Sequence, residues 1–539
     1  MAKSFAPERL NELFNDTTPF ALIDVREPGE YNSSHIPGSS LMPRRRLEFD
    51  LHDAVPHAGT LIVLCDDDGR RVSQAVATVE AMGFSNVVWL EGGINRWMSL
   101  DFPTEWGVNV PSKDFGEKVE VVHHVPEIDA IELRARMDRG EKMVILDTRT
   151  PEEYRRFCIP GGRSVPGGEL ALRITDITED LDPDTTVVVN CAGRTRSIIG
   201  TRVLQRMGLD REVVGLKNGT SGWVLAGYDL ESGATRDRLP NVSAEGRAAA
   251  EAYADRCAVE DGVRFLDVAG LDAMADRSVT ESIYFIDVRT SEEYDRGRIP
   301  GFRWFPGGQC VQRSDDVAVV KNAPIVFCCD GKARATLTAS WFRQLGHEEV
   351  YAVDGGTGAW VADDRPLESG MSIAALNDGS ISGETESELL VEARRTVPTV
   401  SARALDQSQP DVIIFVDTSQ EFARAHVPGS RWVPRGWLEW QITDHVRSND
   451  ASIVVTCVDG RQSLLAATTL RQLGYSNVRA LAGGVTSWQA SRLPVEEGLA
   501  GVMRTPSDIV FSGPDRTYAD MQNYLRWETA LGEKYAPGA

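Results

Sequence analysis

The sequence predicts an α/β protein made of four tandem small doubly wound domains, each a mostly parallel sheet with helices on both faces. One pattern of motifs occurs four times along the 539 residues, and such internal repetition decides the fold before any local feature does. In every copy an apolar strand ending in Asp precedes an apolar strand ending in Cys, which runs into a helical pattern. The Cys strands are continuous apolar runs, which are typical of central parallel strands covered on both faces.

The opening motif of each copy is the strand that ends in Asp. In copies one to three the Asp is followed by Arg two residues later, then by Glu-Tyr and Ile-Pro-Gly, as in DTRTPEEYRRFCIPG. We predict that this Asp and Arg buttress the neighbouring loops and do not bind substrate. Copy four reads DTSQEFARAHVPG, which lacks the Arg and is two residues shorter.

The second motif is the Cys strand with the loop and helix that follow it. Its cysteines are Cys65, Cys191, Cys329 and Cys457. Each Cys falls at the carboxyl end of its strand, where open α/β sheets place their ligands. A Gly-containing turn closes the helix, and a short strand then leads to a Gly…Trp element that ends the copy.

The motif positions predict four domains and two connecting segments. The domains are expected at residues 1–108, 118–232, 262–370 and 395–498. Residues 233–261 form an expected helical connector, because an Ala-rich stretch follows Pro240. Residues 371–394 form a Gly/Ser-rich acidic linker that turns helical.

The tail, residues 499–539, is predicted to contain an amphipathic helix. Tyr518, Met521 and Leu525 lie on one face of that helix, which we expect to dock on a neighbouring domain.

The composition excludes several partners. The net charge is -23, with 80 acidic and 57 basic residues, and such a surface repels nucleic-acid phosphates and anionic lipid. No apolar signal-peptide core opens the sequence and no apolar run is long enough to span a membrane, so the expected location is the cytoplasm. The eight cysteines are sparse and none has zinc-ligand spacing, which predicts neither a disulfide scaffold nor a metal site.

The loop of copy two, CAGRTRS, has the features that most favour a reactive cysteine. Successive backbone N–H groups between a strand and a helix can converge on an anion, and the helix dipole adds positive charge. Arg194 and Arg196 add two further charges without any acid in the loop. These influences favour the thiolate of Cys191, the form that acts as a nucleophile, and the same loop would hold a persulfide anion.

The opening motif, the Cys loop and the closing Gly…Trp element resemble the rhodanese family of sulfurtransferases in all four copies. The resemblance implies transfer of sulfane sulfur from thiosulfate to cyanide or a thiol through a cysteine persulfide, with no metal or organic cofactor. The family's six-residue loop corresponds to Cys191 through Arg196, so Gly193, Arg194, Thr195 and Arg196 are the expected substrate-binding residues. No loop here has the Cys-Gly-Ser-Gly pattern of the mercaptopyruvate branch, which favours thiosulfate-type chemistry.

Copy three offers a second candidate site. Its loop, CDGKAR, keeps the length and the closing Arg, and Asp330 offsets only one of its two cations. We therefore expect Cys329 to be a second catalytic residue, with Lys332 and Arg334 binding the substrate.

Copies one and four are predicted to be inactive scaffolding or docking domains. The loop of copy one, CDDDGRR, places three consecutive carboxylates, residues 66–68, beside its Cys, and like charge disfavours a thiolate. The loop of copy four, CVDGRQ, has one acid against one base and ends in Gln462.

The sequence thus predicts a thiosulfate sulfurtransferase that uses a small anionic sulfur donor and a thiol or cyanide acceptor. Two alternatives remain open at this point. One is a non-catalytic or regulatory protein that displays its domains to partners, and the other is a phosphatase-like cysteine enzyme.

Overall fold

The structure, a computed structural model, describes residues 3–370 and 387–536. These residues form two compact units. The first contains the described parts of residues 1–108, 319–321 and 374–510, and the second contains those of residues 109–318, 322–373 and 511–539. Copies one and four therefore share one unit, and copies two and three share the other.

Copy one has a central parallel sheet, because its two longest strands are almost completely buried and apolar except for the Asp that ends β2. Its strands are β1 (Lys3–Phe5), β2 (Phe20–Asp24), β3 (Ser40–Leu41), β4 (Leu61–Cys65) and β5 (Val87–Leu90). Its helices are α1 (Pro7–Leu13), α2 (Pro28–Ser33), α3 (Leu47–Ala54), α4 (Val72–Ala81) and α5 (Gly93–Ser99). The order is β1-β5-β4-β2, and β3 pairs with the carboxyl half of β2.

Copy two is preceded by α6 (Val110–His123) and repeats the same order of elements. Its strands are β6 (Glu127–Ile128), β7 (Met143–Asp147), β8 (Arg163–Ser164), β9 (Thr186–Asn190) and β10 (Val213–Leu216). Its helices are α7 (Ala130–Asp138), α8 (Pro151–Arg156), α9 (Leu170–Thr178), α10 (Thr195–Met207) and α11 (Gly219–Leu225). All strand pairs are parallel in the order β6-β10-β9-β7-β8.

Copy three follows the connector helix α12 (Ala244–Asp261). Its strands are β11 (Arg264–Leu266), β12 (Tyr284–Asp287), β13 (Arg303–Trp304), β14 (Val320–Lys321), β15 (Ile325–Cys328) and β16 (Val350–Val353). Its helices are α13 (Val268–Arg277), α14 (Ser291–Arg296), α15 (Gly307–Gln312), α16 (Ser314–Val317), α17 (Ala333–Gln344) and α18 (Gly356–Ala362). Strand β14 is not part of the copy-three sheet; it pairs antiparallel with β2 of copy one, so the first unit includes it.

Copy four is preceded by α19 (Glu388–Thr396). Its strands are β17 (Thr399–Val400), β18 (Val412–Phe415), β19 (Arg431–Trp432), β20 (Ile453–Thr456) and β21 (Val478–Leu481). Its helices are α20 (Ala402–Asp406), α21 (Ser419–Arg424), α22 (Arg435–His445), α23 (Arg461–Gln472) and α24 (Gly484–Ala490), and the tail contains α25 (Tyr518–Ala530).

The two faces of each sheet are covered by helices, as copy four shows most clearly. Ile453 and Val455 of β20 belong to a core with α19, α22 and α23, whereas Val454 between them belongs to a core with α20, α21 and α24. Alternate side chains of one strand thus enter two different cores. The predicted fold class is confirmed, and its continuous apolar Cys strands are explained by burial on both faces.

The connecting helices have a common role. Helices α6, α12 and α19 each precede a copy and pack on the Cys helix of that copy, which is α10, α17 or α23. Helix α12 lies within the predicted connector, residues 233–261. The helix predicted within residues 371–394 begins at Glu388, and residues 371–386 lie outside the described residues.

The tail contains helix α25, which packs on α6. Met521 and Leu525 are buried as expected, but Tyr518 is 63% exposed. Tyr518, the first residue of α25, was therefore wrongly assigned to the packed face. Within the described part of the chain, no helix is both long enough and apolar enough to cross a membrane.

Candidate active site

The Asp and Arg of the opening motif form a buried ion pair that also holds the end of the short helix after the motif. In copy two, Asp147 binds Arg149 through two contacts of 2.9 and 2.7 Å. The Arg149 guanidinium also donates to the carbonyl of Phe157 at the end of α8. The same pair recurs in copies one and three, so the predicted buttressing role is confirmed in geometry.

Cys191 lies where β9 ends and the loop to α10 begins. Its side chain is almost completely buried, and Sγ lies 3.4 Å from Oγ of Ser197. The Ser197 hydroxyl donates to the carbonyl of Arg194 at 2.8 Å, which closes the loop. Gly219 of the Gly…Trp element sits against the loop with φ of 51°, where a Cβ would lie 2.2 Å from the Cys191 carbonyl oxygen. Only glycine fits this close approach.

Arg196 is the loop arginine whose charge interacts with the thiol of Cys191. Its guanidinium forms a bidentate pair with Glu153, at 2.7 and 2.8 Å. Burial raises the pKa of Glu153, but Arg196 outweighs burial and brings that pKa down to about 2. Burial opposes the charge of Arg196, but Glu153 and then Cys191 favour it and raise its pKa. The arginine thus stays charged next to the thiol.

Glu153 was not predicted to be a site residue, although the sequence shows its pattern. Glu153 and Thr150 form the capping box at the start of α8, each accepting a backbone N–H of the other residue. Glutamates at the same place in copies one and three, Glu30 and Glu293, bind the closing Arg of their own loops. One carboxylate therefore caps the short helix and orients the arginine.

Arg194 is placed differently from what its position in the loop suggested. It is buried, and its guanidinium binds Glu117 of α6 at 2.5 and 3.0 Å and Glu127 at 3.4 Å. Burial raises the pKa of Glu117 to about 7 even though Arg194 is adjacent. The charge of Arg194 is thus offset by acids from outside the loop, which a count of loop charges alone did not include.

Gly193 and Thr195 contact the tail helix α25. The Thr195 hydroxyl donates to Oε1 of Glu528 at 3.0 Å. A Cβ built on Gly193 would lie 3.5 Å from Oε2 of Glu528 and 3.9 Å from the ring of Tyr524. The sequence held no indication of Glu528 or Tyr524 as site residues, since they lie more than 300 positions after the loop.

In copy three the cations of the Cys329 loop are already paired with carboxylates of the protein. Burial raises the pKa of Cys329 to about 11, and Arg334 offsets only part of that rise. Arg334 itself binds three carboxylates, those of Glu169, Glu293 and Asp330, at 2.6 to 2.7 Å. The charge that the sequence assigned to substrate binding is thus engaged by protein acids.

The connector helix α12 covers the loop of copy three. Its Asp255 forms an ion pair with Lys332, and its Arg247 binds Asp330 at 3.0 Å. Arg247 and Glu251 also flank the Cβ position of Gly331 at 3.6 Å. The expected binding residues Lys332 and Arg334 are therefore both held by contacts within the protein.

In copy four the backbone N–H groups of the loop donate hydrogen bonds to the cysteine sulfur. Sγ of Cys457 accepts hydrogen bonds from the backbone N–H of Gly460 at 3.1 Å and of Ser463 at 3.3 Å. Burial, followed by Asp417, raises the pKa of this thiol to about 12. The N–H groups still converge on the sulfur, as expected for an anion-binding loop.

Copy one fills the same arrangement of N–H groups with a carboxylate. The side chain of Asp66 accepts backbone hydrogen bonds from Gly69 at 2.5 Å, Arg71 at 2.7 Å and Val72 at 3.2 Å. Gly69 and Val72 correspond in sequence to the two residues that donate to sulfur in copy four. The Asp66 carboxylate thus stands where an anionic sulfur would lie.

The thiol of Cys65 is kept neutral, but not chiefly by its loop aspartates. Burial raises the pKa of Cys65 well above its ordinary value, followed by the charge of Asp24, while Asp66 and Asp67 add smaller effects. Asp68 is turned toward Arg70. The expectation that like charge disfavours this thiolate holds in direction, with burial as the larger cause.

The Rhodanese-like domain family matches residues 6–100, 129–226, 269–363 and 399–491, which together make up most of the chain. The crystal structure of a thiosulfate sulfurtransferase from Pseudomonas aeruginosa has a TM-score of 0.87 and 35% identity, with 99% of this chain and 97% of that chain covered.

Two relatives match shorter segments. The probable adenylyltransferase/sulfurtransferase MoeZ of Mycobacterium tuberculosis is 35% identical over 95 residues, which are 17% of this chain and 24% of that relative. The chain thus spans about a quarter of its length. The thiosulfate sulfurtransferase of Azotobacter vinelandii is 24% identical over 227 residues, covering 35% of this chain and 83% of the relative. With four matching domains and a full-length structural counterpart, the chain belongs to the rhodanese-like family of sulfurtransferases.

Proposed function

We propose that the protein moves sulfane sulfur from thiosulfate or a similar anionic donor to cyanide or a thiol, with Cys191 as the residue that carries the sulfur. The observation that supports this most directly is the contrast between loops. The anion position of copy one is filled by Asp66, whereas the loop of copy two has no acid of its own and keeps Arg196 beside the thiol.

The proposed reaction has two steps. The Cys191 thiolate attacks the outer sulfur of thiosulfate, a new S–S bond forms, and the old S–S bond breaks with its electron pair leaving on sulfite. Cyanide then attacks the outer sulfur of the persulfide, and the electron pair of the broken bond returns to Cys191. Arg196 favours the anionic sulfur in both states, while Gly193 and Thr195 form the wall of the loop.

Cys329 is proposed as a second and slower site. The loop of copy three keeps its length and its closing arginine, and backbone N–H groups of Gly331 and Ala335 favour its thiolate. Its thiol is nonetheless hard to ionise, because burial raises its pKa to about 11. Binding of a donor there would have to displace carboxylates from Lys332 and Arg334.

The proposal is tested by locating the transferred sulfur. After treatment with thiosulfate and removal of the excess, peptide mass mapping is expected to find one added sulfur on Cys191, and cyanide is expected to remove it. A smaller fraction is expected on Cys329 and none on Cys65 or Cys457. Protein that acquires no sulfur on any of these four residues would contradict the proposal.

The closing arginine gives a second prediction. Changing Arg196 to Gln, which copy four has naturally at this place, is expected to slow both persulfide formation and alkylation of Cys191 at pH 7 by about tenfold, because one cation serves the donor and the thiolate. Arg196→Lys, which keeps the charge but not the bidentate pair with Glu153, is expected to recover part of both rates. An unchanged alkylation rate in Arg196→Gln would show that this arginine does not act on the sulfur.

A further inference from the structure

Copies two and three, which share the second unit, meet through two pairs of glycines. The pairs are Gly167 and Gly168 in copy two and Gly307 and Gly308 in copy three. A Cβ on Gly168 would lie 2.9 Å from the backbone nitrogen of Gly308, and a Cβ on Gly308 would lie 2.9 Å from the backbone nitrogen of Gly168. Glycine at these places therefore lets the two backbones approach closely. The approach brings the residue that follows the glycines in copy two next to copy three.

That residue, Glu169, binds the closing arginine of the copy-three loop. Its Oε1 lies 2.7 Å from Nη1 of Arg334, and both side chains are almost completely buried. Arg334 also binds Glu293 and Asp330, which belong to its own copy. Of the three carboxylates around this guanidinium, Glu169 is thus the one that copy two supplies.

The closing arginine of copy two has fewer acidic partners. The residue that follows the glycines in copy three is Gln309, which carries no charge. Within residues 3–370 and 387–536, Arg196 forms an ion pair with one carboxylate, that of Glu153. Arg196 and Arg334 line the same small cavity of about 50 Å³, which the glycine pairs also line. The two arginines therefore lie in matching places and differ in the number of carboxylates that they bind.

The first unit uses the same position for the same kind of contact. Trp437 of copy four stands where copy two has Glu169, three residues after the proline that precedes each turn. Its ring centre lies 4.4 Å from Cζ of Arg71, the closing arginine of copy one. In both units, then, the residue at this position contacts the closing arginine of the other copy. The place of the contact is retained, while the charge that it brings differs.

We propose that Glu169 of copy two is a positioning residue that suppresses the copy-three site, because it holds Arg334 in an ion pair and away from an anionic sulfur donor. This inference rests on the proposed function, in which the closing arginine serves the donor. A guanidinium that already binds three carboxylates has little attraction left for a further anion. Without the charge of Glu169, Arg334 keeps Glu293 and Asp330, and Asp330 is shared with Arg247.

The reaction in copy three needs no reactant beyond the donor. The Cys329 thiolate attacks the outer sulfur of thiosulfate, a new S–S bond forms, and the old S–S bond breaks with its electron pair leaving on sulfite. Glu169 exchanges no proton or electron in this step and acts only through Arg334.

The first experiment measures the charge near Cys329 without any sulfur transfer. Full-length wild-type protein and Glu169→Gln are alkylated with neutral iodoacetamide or anionic iodoacetate, and peptide mass mapping gives the rate at each cysteine. In Glu169→Gln the ratio of the iodoacetate rate to the iodoacetamide rate at Cys329 is expected to rise about threefold or more, because Arg334 then attracts the anion. The same ratio at Cys191 is expected to change less. A substitution that only loosened the contact between the copies would speed both reagents equally, and that result overturns the inference.

The second experiment follows the transferred sulfur. After brief treatment with thiosulfate below saturation, Glu169→Gln is expected to carry about threefold or more sulfur on Cys329 relative to wild-type protein. Glu169→Asp keeps the charge and is expected to load Cys329 as slowly as wild-type protein does. Equal loading of Cys329 in Glu169→Gln and in wild-type protein contradicts the inference.

A matched substitution in copy three tests the contact in the opposite direction. Gln309→Glu adds a carboxylate at the position equivalent to Glu169 and is expected to slow sulfur loading of Cys191 about threefold, because Arg196 gains a second acidic partner. Unchanged loading of Cys191 in this variant would show that the position does not act on the closing arginine. If wild-type Cys191 loads no sulfur at all, the proposed function fails, whereas the alkylation ratio at Cys329 still decides the role of Glu169.

Discussion

Replacing Cys191 with serine is expected to lower thiosulfate:cyanide turnover by at least about 10³-fold, as is usual when the nucleophile of a covalent mechanism is removed. A hydroxyl is far less acidic and less polarisable than a thiol, so it cannot carry sulfane sulfur at neutral pH. The size change is small and the Sγ position is buried, so the fold is expected to persist. Thiocyanate formation at saturating donor measures the effect.

The matched variants are the same change in the other three loops. Cys65→Ser and Cys457→Ser are expected to keep near-normal turnover, because burial raises the pKa of both thiols far from neutrality. Cys329→Ser is expected to remove only a minor share. Near-normal turnover in Cys191→Ser together with loss in Cys329→Ser would move the principal site to copy three.

The fold was predictable because its information is local in the sequence. Each Cys strand carries its own apolar run, and the Cys at its end is followed directly by a helix, so a motif of about ten residues indicates strand, loop and helix together. The connector helix α12 was equally visible, since its Ala-rich stretch begins after Ser243, which accepts the N–H of Gly246 as an N-cap.

The surroundings of the site were not predictable, because they come from distant helices. Arg194 reads as a free loop cation in the sequence, but Glu117 of α6 binds it across 77 positions. Glu528 reaches Thr195 across 333 positions. Charge counted within a loop predicts the chemistry only where no other element covers that loop, and in the second unit α6, α12 and α25 all do so.

The sequence also did not predict that copies one and four pack together, because no single side chain at their contact forms a recognisable motif. Within the first unit, Arg44 and Glu48 of copy one meet Arg435 and Glu439 of copy four in a buried ring of four charges. Glu48 binds Arg44 at 3.0 Å and Arg435 at 2.6 Å, and Glu439 binds Arg44 and Arg435 at 2.9 Å each. Every side chain of the ring is 2% exposed.

Removing one member of this ring is expected to be the most damaging change for stability. Glu48→Met leaves two buried arginines facing a single carboxylate, and breaking a buried pair in this way costs about 3–5 kcal/mol. We expect the thermal transition of the first unit to shift down by several degrees in calorimetry. Asp138→Asn, which breaks an exposed pair with Arg134, is the control and is expected to change stability by about 0.5 kcal/mol or less.

The ring predicts that a second substitution repairs the first. The double variant Glu48→Met with Arg435→Met removes one acid and one base, and the remaining Arg44–Glu439 pair is neutral, so it is expected to be more stable than Glu48→Met alone. A double variant that is destabilised by the sum of its two single changes would show that the four charges do not act as a unit.

The same ring makes the stability of the protein depend on pH, and the direction of this dependence follows from the pKa of Glu48. Burial raises the pKa of Glu48, but Arg435 and Arg44 outweigh burial and lower it from 4.5 to about 2. Because the folded value lies below the unfolded one, the ring stabilises the protein fully above about pH 4.5, and this stability is lost as the pH falls from there toward 2. The difference in stability between wild-type protein and Glu48→Met, measured by urea unfolding, is therefore expected to shrink across that window. A difference that stays constant down to pH 3 would mean that Glu48 does not owe its charge to these two arginines.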